Sequence, residues 1–308
     1  MLFENQKYFI MKTFTIFLSV VLLPFFLSAQ SVSPQVVASS GDYYQGTNAS
    51  LSWTLGEIAT ETYSNGSTIL TQGFQQPVSV SITGINLDLL VYLEGPYSGT
   101  EMTTGLNSGG VIPLAQPYNT SPWNYSGSES VASIPNSNVV DWVLVELRDA
   151  TSAANANPAS TIEKRAGFLL KDGSVVGLDG VSNMQFPSAT LTNDLYIVVW
   201  HRNHLGVLAA NAATCSGNDF SYDFSTALTQ VYNGGSGYKE IAVNTYGMVG
   251  GDSDGDGDVD AADKAAWTAN AGTKGYKGSD FNMDTQVSNQ DKNDVFVENG
   301  SYSSQVPQ

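Results

Sequence analysis

Two twelve-residue stretches, Asp252-Ser-Asp-Gly-Asp-Gly-Asp-Val-Asp-Ala-Ala-Asp263 and Asp280-Phe-Asn-Met-Asp-Thr-Gln-Val-Ser-Asn-Gln-Asp291, decide how the C-terminal part of this chain is read. In each, oxygen-bearing side chains fall at positions 1, 3, 5, 9 and 12, and an aliphatic residue stands at position 8. Alternate residues of a tight loop point inward, position 7 offers its backbone carbonyl, and position 12 closes the sphere from the start of a helix. That spacing surrounds a hard cation such as Ca²⁺ with oxygens.

Loop one then supplies Asp252, Asp254, Asp256, Asp260 (through water) and Asp263, with the carbonyl of Asp258. Gly257 at position 6 permits a bend that a Cβ resists. Loop two supplies Asp280, Asn282, Asp284, Ser288 and Asp291, with the carbonyl of Gln286. Thr285 stands where the glycine would be, and carboxylates are fewer, so two Ca²⁺ sites are expected, the first tighter. Val259 and Val287 match in position, and the loops are expected to pair back to back through a short β-bridge. From Gly250 to Glu298 eleven acidic residues face four lysines. Two Ca²⁺ ions would relieve that self-repulsion, so folding of this part is expected to depend on the metal.

The approaches Asn244–Gly251 and Gly272–Gly278 are too glycine-rich for entering helices. Helices are expected only after the loops, over Ala261–Ala271 and Asn289–Asn299, each stopped by a glycine. This duplicated loop-plus-exit-helix unit resembles the dockerin family, whose Ca²⁺-loaded repeats dock onto cohesin-type partners in polysaccharide-degrading assemblies. The resemblance implies a cohesin-like or other surface protein as partner. In that family recognition depends on exit-helix residues, and those positions here hold Ala261, Ala262, Asn289 and Gln290.

The 308 residues carry a net charge of −17, although only 13% of them are charged. Such a chain lacks the basic footprint of a nucleic-acid binder. Residues 1–29 read as a cleaved secretory signal: Met11-Lys12, an apolar run Phe14–Leu27 and small residues before Gln30. Secretion or a cell-surface location is expected, with no membrane span after cleavage. Cys215 is the one cysteine, so no internal disulfide forms and the core and metal must supply stability.

Residues 30–80 read as a small β unit, with Asn65-Gly66 as a tight hairpin. The pattern Gly41-Asp-Tyr-Tyr, Leu51-Ser-Trp-Thr-Leu-Gly-Glu57 and Ile69-Leu-Thr-Gln-Gly-Phe74 is similar to a segment of secreted Bacteroidetes proteins. Residues 84–247 are read as a β-sandwich, immunoglobulin-like or jelly-roll. Its expected strands are Ile85–Leu93, Val139–Leu147, Ala166–Leu170, Ser174–Leu178, Leu195–Trp200, Gly206–Ala209, Phe220–Phe224 and Tyr238–Val243. Asp172-Gly173 marks a hairpin, and Pro96–Pro135 reads as a long surface loop. The double-loop module is assigned to 250–300 and a polar tail to 301–308. Leu93-Glu-Gly-Pro-Tyr-Ser-Gly99, Gln116–Tyr125, Val140–Asp149 and Trp200-His-Arg-Asn-His-Leu-Gly206 resemble an uncharacterised family of haemagglutinin-like Bacteroidetes surface proteins.

Tyr97, Tyr118, Trp123 and Tyr125 lie in loop-like sequence, where aromatic faces stack on sugar rings or else pack as ordinary core. His201 and His204 stand three apart after a strand. They serve either as a hydrogen-bonded corner or, with a turn at Asn203, as a ligand or glycan contact. No pair among Glu94, Asp141, Glu146, Asp149 and Asp179 is identified as a glycosidase acid and base. Glu146 either faces solvent or pairs with Arg148 or Arg202. The expected protein is secreted, calcium-binding and non-catalytic, its module docking a partner or clipping the C-terminus onto an adhesive or glycan-binding sandwich. The alternatives are a dockerin-bearing glycoside hydrolase and a structural surface subunit.

Overall fold

The computed structural model describes residues 40–45, 50–55, 62–64, 69–71 and 82–308. The expected signal, residues 1–29, and the Asn65-Gly66 turn lie outside them. The chain divides into two compact units, residues 1–61 with 71–76, and residues 62–70 with 77–308. In the N-terminal region β1 (Ser40–Gln45) pairs antiparallel with β2 (Ser50–Leu55), and β3 (Thr62–Ser64) pairs with β4 (Ile69–Thr71). Among the described residues no helix is long and apolar enough to cross a membrane.

The larger unit is mainly β. Its curled nine-stranded sheet is centred on β6 (Val139–Ala150), which is buried over nearly its whole length. That near-continuous apolar run needs cover on both faces, and it has antiparallel partners on both edges, β7 (Thr161–Leu170) and β10 (Asp194–Trp200). β11 (Val207–Leu208) continues the sheet beyond β10, and β8 (Ser174–Val176) follows β7 through the hairpin read at Asp172-Gly173. β5 (Ile82–Leu90) is paired by β8 at its end and by β9 (Met184–Leu191) along its start. Its other edge takes β13 (Asp219–Asp223) in parallel, followed by β12 (Thr214–Ser216). A separate hairpin joins β14 (Tyr238–Ala242) to β15 (Thr245–Met248).

The segment 96–135 is largely irregular and much of it is exposed, as a surface loop would be, but part of it also reaches the core. Met102, Leu106 on the short helix α1 (Gly105–Ser108), Ile112 and Tyr118 are buried in the main core. They cover the face of β6 that carries Trp142. The Trp142 indole N–H donates to the Pro113 carbonyl at 2.8 Å, and its ring packs on Phe168 at 4.1 Å. Residues 301–308 are not a free tail. Val306 is buried in a small cluster with Tyr196, Val198 and Leu208, and Ser304 Oγ donates to the Gly206 carbonyl at 2.7 Å.

The double-loop segment, expected as a separate module, packs into the same unit as the sheet. Phe281, Val259, Val295 and Phe296 form one cluster with Leu205 and Val249, and Met283 enters the main core. Gly95 makes this approach possible, since a Cβ there would lie 1.8 Å from the Phe281 carbonyl oxygen. The two loops do not pair with each other. Asp258 bridges to Ser303 and Gln286 to Lys274, so each loop edge finds its hydrogen bonds on another stretch of chain. Helical segments follow both loops: α2 (Ala261–Asn270) after loop one, and after loop two, in place of a regular α-helix, a π-helical turn Asp291–Phe296 running into α3 (Val297–Asn299).

Candidate metal centre and adjoining cavity

Position by position, the two loops take the same path. The backbone is left-handed at positions 4 and 6 of both, at Gly255 (φ 76°) and Gly257 (φ 94°), and at Met283 (φ 59°) and Thr285 (φ 83°). Thr285 thus adopts the conformation that the missing glycine would have taken freely, at a steric cost. The position-1 carboxylates turn inward. Asp252 accepts from the amides of Gly255 (2.8 Å) and Gly257 (3.2 Å), and Asp280 from those of Asp284 (3.1 Å) and Thr285 (2.9 Å). The position-12 carboxylates reach back in the same way. Asp263 accepts from Ser253 and Asp260, and Asp291 from Asn282 and Ser288. In loop one this exchange is also the capping box that starts α2, with Asp260 as the cap.

The donor set fits a hard cation. Asp252, Asp254 and Asp256 each place an oxygen within 4.8 Å of the others. Asp252, Asp263, Asp280 and Asp291 are all buried. Burial, with the Asp263 charge beside it, pushes the Asp252 carboxyl up to about 8. Burial and Asp291 push Asp280 to about 6, against the pull of the Arg202 guanidinium. Acids held above their ordinary range by one another are relieved by a cation among them. Asp254 and Asp256 are exposed, as are the side chains of Asp258 and Asp260, while Asn282 and Ser288 replace carboxylates in loop two.

His201, Arg202, Asn203 and His204 follow β10 and fill the seam between sheet and loops. All four are buried. Arg202 Nε donates to Asp141 at 2.8 Å, its cation lies 4.2 Å from the Tyr276 ring centroid, and the Tyr276 hydroxyl donates to Asp141 at 2.8 Å. Burial alone would raise the Asp141 carboxyl, but Arg202 and His201 hold it below its ordinary value. The two imidazoles touch through Nδ1 at 3.1 Å, and His204 Nε2 accepts from the Gly95 amide at 3.1 Å. Burial lowers both histidines, His204 further because His201 and Arg202 face it, so both are neutral near pH 7. They form the hydrogen-bonded corner, and both also line the cavity between the sheet and loop one.

The loop aromatics separate. Tyr118 is fully buried, its hydroxyl donating to the Trp142 carbonyl at 2.8 Å, so it offers no face to a ligand. Tyr97 is half-buried edge-on to Tyr92, and the Tyr125 hydroxyl donates to Glu129 at 2.5 Å. Trp123 stands edge-on to Tyr118 at 5.2 Å, and its indole also lines a cavity of about 180 Å³.

That cavity joins the sheet to loop one. One face of the sheet supplies Glu146 and Arg148 from β6, Lys164 directly opposite Glu146 on β7, and Trp200 from β10. Loop one supplies Asp252, Gly255, Asp256 and Gly257. Glu146 is buried and not solvent-facing. It accepts from Arg148 Nε (2.8 Å), Thr161 (2.5 Å) and Trp200 Nε1 (2.9 Å), with Lys164 Nζ at 3.1 Å. Burial would raise its carboxyl, but the cations hold it below its ordinary value. The spacing Glu146-x-Arg148 puts both charges on one face of a strand that is otherwise apolar there, a signal readable from period two. Lys164 and Trp200 had no such signal.

No family model matches the chain, and no curated protein does. Among solved structures it is similar to an N-terminal interface mutant of a type II cohesin–X-dockerin complex from Acetivibrio cellulolyticus. The identity is 11%, the TM-score is 0.34, and the alignment covers 73% of this chain and 97% of that one.

Proposed function

We propose that this is a secreted, non-catalytic calcium-binding surface protein in which two dockerin-like loops, loaded with Ca²⁺, clip the C-terminal segment onto a sandwich of immunoglobulin-like or jelly-roll type. The sandwich serves adhesion or glycan binding. The observation that carries the reading is the equivalence of the two loops, down to buried first and twelfth carboxylates and left-handed fourth and sixth residues. Asp252, Asp254, Asp256 and Asp263 would hold one ion with the Asp258 carbonyl, and Asp280, Asn282, Asp284 and Asp291 the other with the Gln286 carbonyl. Asp260 and Ser288 would act through water.

A clip is favoured over a free docking module because the loops share their core with the sheet. Ala261, Ala262, Asn289 and Gln290 are exposed, which supports partner docking as a second reading. The hydrolase reading is weaker, because Glu146 and Asp141 are each bound to a guanidinium that keeps them ionised and occupied. The test is calorimetric titration of Ca²⁺ into chelator-treated protein with melts alongside. Two sites and a rising Tm support the reading. Asp252→Ala with Asp263→Ala should remove the tighter site, and unchanged stoichiometry in that variant would overturn the ligand assignment.

A further inference from the structure

We infer that the cavity between the sheet and loop one is a saccharide subsite that takes one neutral pyranose ring, Trp123 forming its stacking wall. This deepens the glycan-binding reading above and rests on it. At about 180 Å³ the space is smaller than the roughly 300–1,000 Å³ of sites for drug-sized ligands, and of the order of one sugar ring. Its lining joins the two things a pyranose requires. The C–H face of the ring needs an aromatic surface, and the rim of hydroxyls needs donors and acceptors together.

Two indoles face the space, and each is seated on a glycine. A Cβ on Gly255 would lie 2.9 Å from the Trp123 ring and from Pro122, and one on Gly206 would lie 2.3 Å from Trp200. The rings are therefore fixed before any ligand arrives, which lowers the ordering cost of binding. Both indoles are half-buried, and Trp123, seated against loop one, is assigned the stacking wall.

The polar rim is mixed. Lys164 is one-third exposed and shares Glu146 with Arg148, so its ammonium keeps donors for a hydroxyl. Gln308, exposed in the same lining, carries an amide that both donates and accepts. A lysine together with an amide suits hydroxyl groups, which donate and accept, and the loop-one aspartates in the lining disfavour a carboxylate or sulfate. The net charge of −17 also repels acidic polysaccharides at long range.

The experiment is a screen of the Ca²⁺-loaded chain against immobilised neutral and uronic-acid oligosaccharides, followed by calorimetry on the strongest hit. Trp123→Ala should weaken binding at least about tenfold. Lys164→Met should weaken it severalfold, with Ca²⁺ stoichiometry retained in both variants. Preference for uronic acids over neutral sugars would overturn the ligand class. Undiminished binding in both variants would overturn the site while leaving glycan binding standing. Silence across the whole screen, in protein that still binds Ca²⁺, would overturn subsite and glycan reading together.

Discussion

The side-chain amide of Asn203 donates to the backbone carbonyl of Asp280 at 2.7 Å, so the corner that ends β10 holds the first residue of loop two. Both residues are buried. Asn203→Ala should cost about 1–3 kcal/mol. It should also weaken the second Ca²⁺ site while sparing the first. Melts and a two-site titration check this, and an equal loss at both sites would mean the corner does not act on loop two.

Thr285 offers the opposite test. A β-branched residue at φ 83° is strained by about 1–3 kcal/mol. Thr285→Gly should raise the Tm and tighten the second site, against the usual penalty for a glycine. Gly257→Ala, at φ 94°, should lower the Tm and weaken the first.

Arg202 neutralises Asp141 at the centre of the seam. Arg202→Met would leave a buried carboxylate held by His201, Tyr276 and the Trp142 amide but facing no full cation, at a cost of about 3–5 kcal/mol. Arg202→Met combined with Asp141→Leu should recover much of that loss. If the double variant is no better than the single one, the pair is not the source of the effect.

The metal-free protein should show an inverted pH response. Asp252, raised to about 8, and Asp280, raised to about 6, hold protons in the folded state that the unfolded chain has released near pH 4. Stability in chelator should therefore be greatest toward the acid end of this window and fall as pH rises through it. The slope is at most about 1.4 kcal/mol per pH unit for each group. Saturating Ca²⁺ near neutral pH should flatten the slope. The buried histidines act in the opposite sense below about pH 6.5, but in both forms, so they cancel in the difference. Urea midpoints across pH 5.5–8 with and without Ca²⁺ measure it, and identical slopes would refute it.

The loops were legible because their oxygen-bearing residues repeat at fixed positions within twelve residues, and β6 because a nearly continuous apolar run has few other uses. β9 escaped notice for a physical reason. Its alternation changes phase at Pro187-Ser188, opposite an irregularity between Thr83 and Ile85 on β5, so period two does not run through it. The covering role of 96–135 was invisible because Met102, Leu106, Ile112 and Tyr118 follow no period. The cavity was beyond sequence reasoning altogether. Trp123, Glu146, Lys164, Trp200 and Asp256 come from five separate stretches that only tertiary structure brings together.

Arg148 Nη1 donates to the Pro307 carbonyl at 3.0 Å, across 159 positions of sequence. A chain made from its N-terminus must therefore carry the Glu146–Arg148 face uncovered until Pro307 has emerged. Order of synthesis and order of closure run in opposite directions here. Such non-local closure slows folding and prolongs exposure of the sheet to neighbouring chains. If the loops take calcium as proposed, an ion met only after synthesis would let the same sequence stay loose at first and lock later.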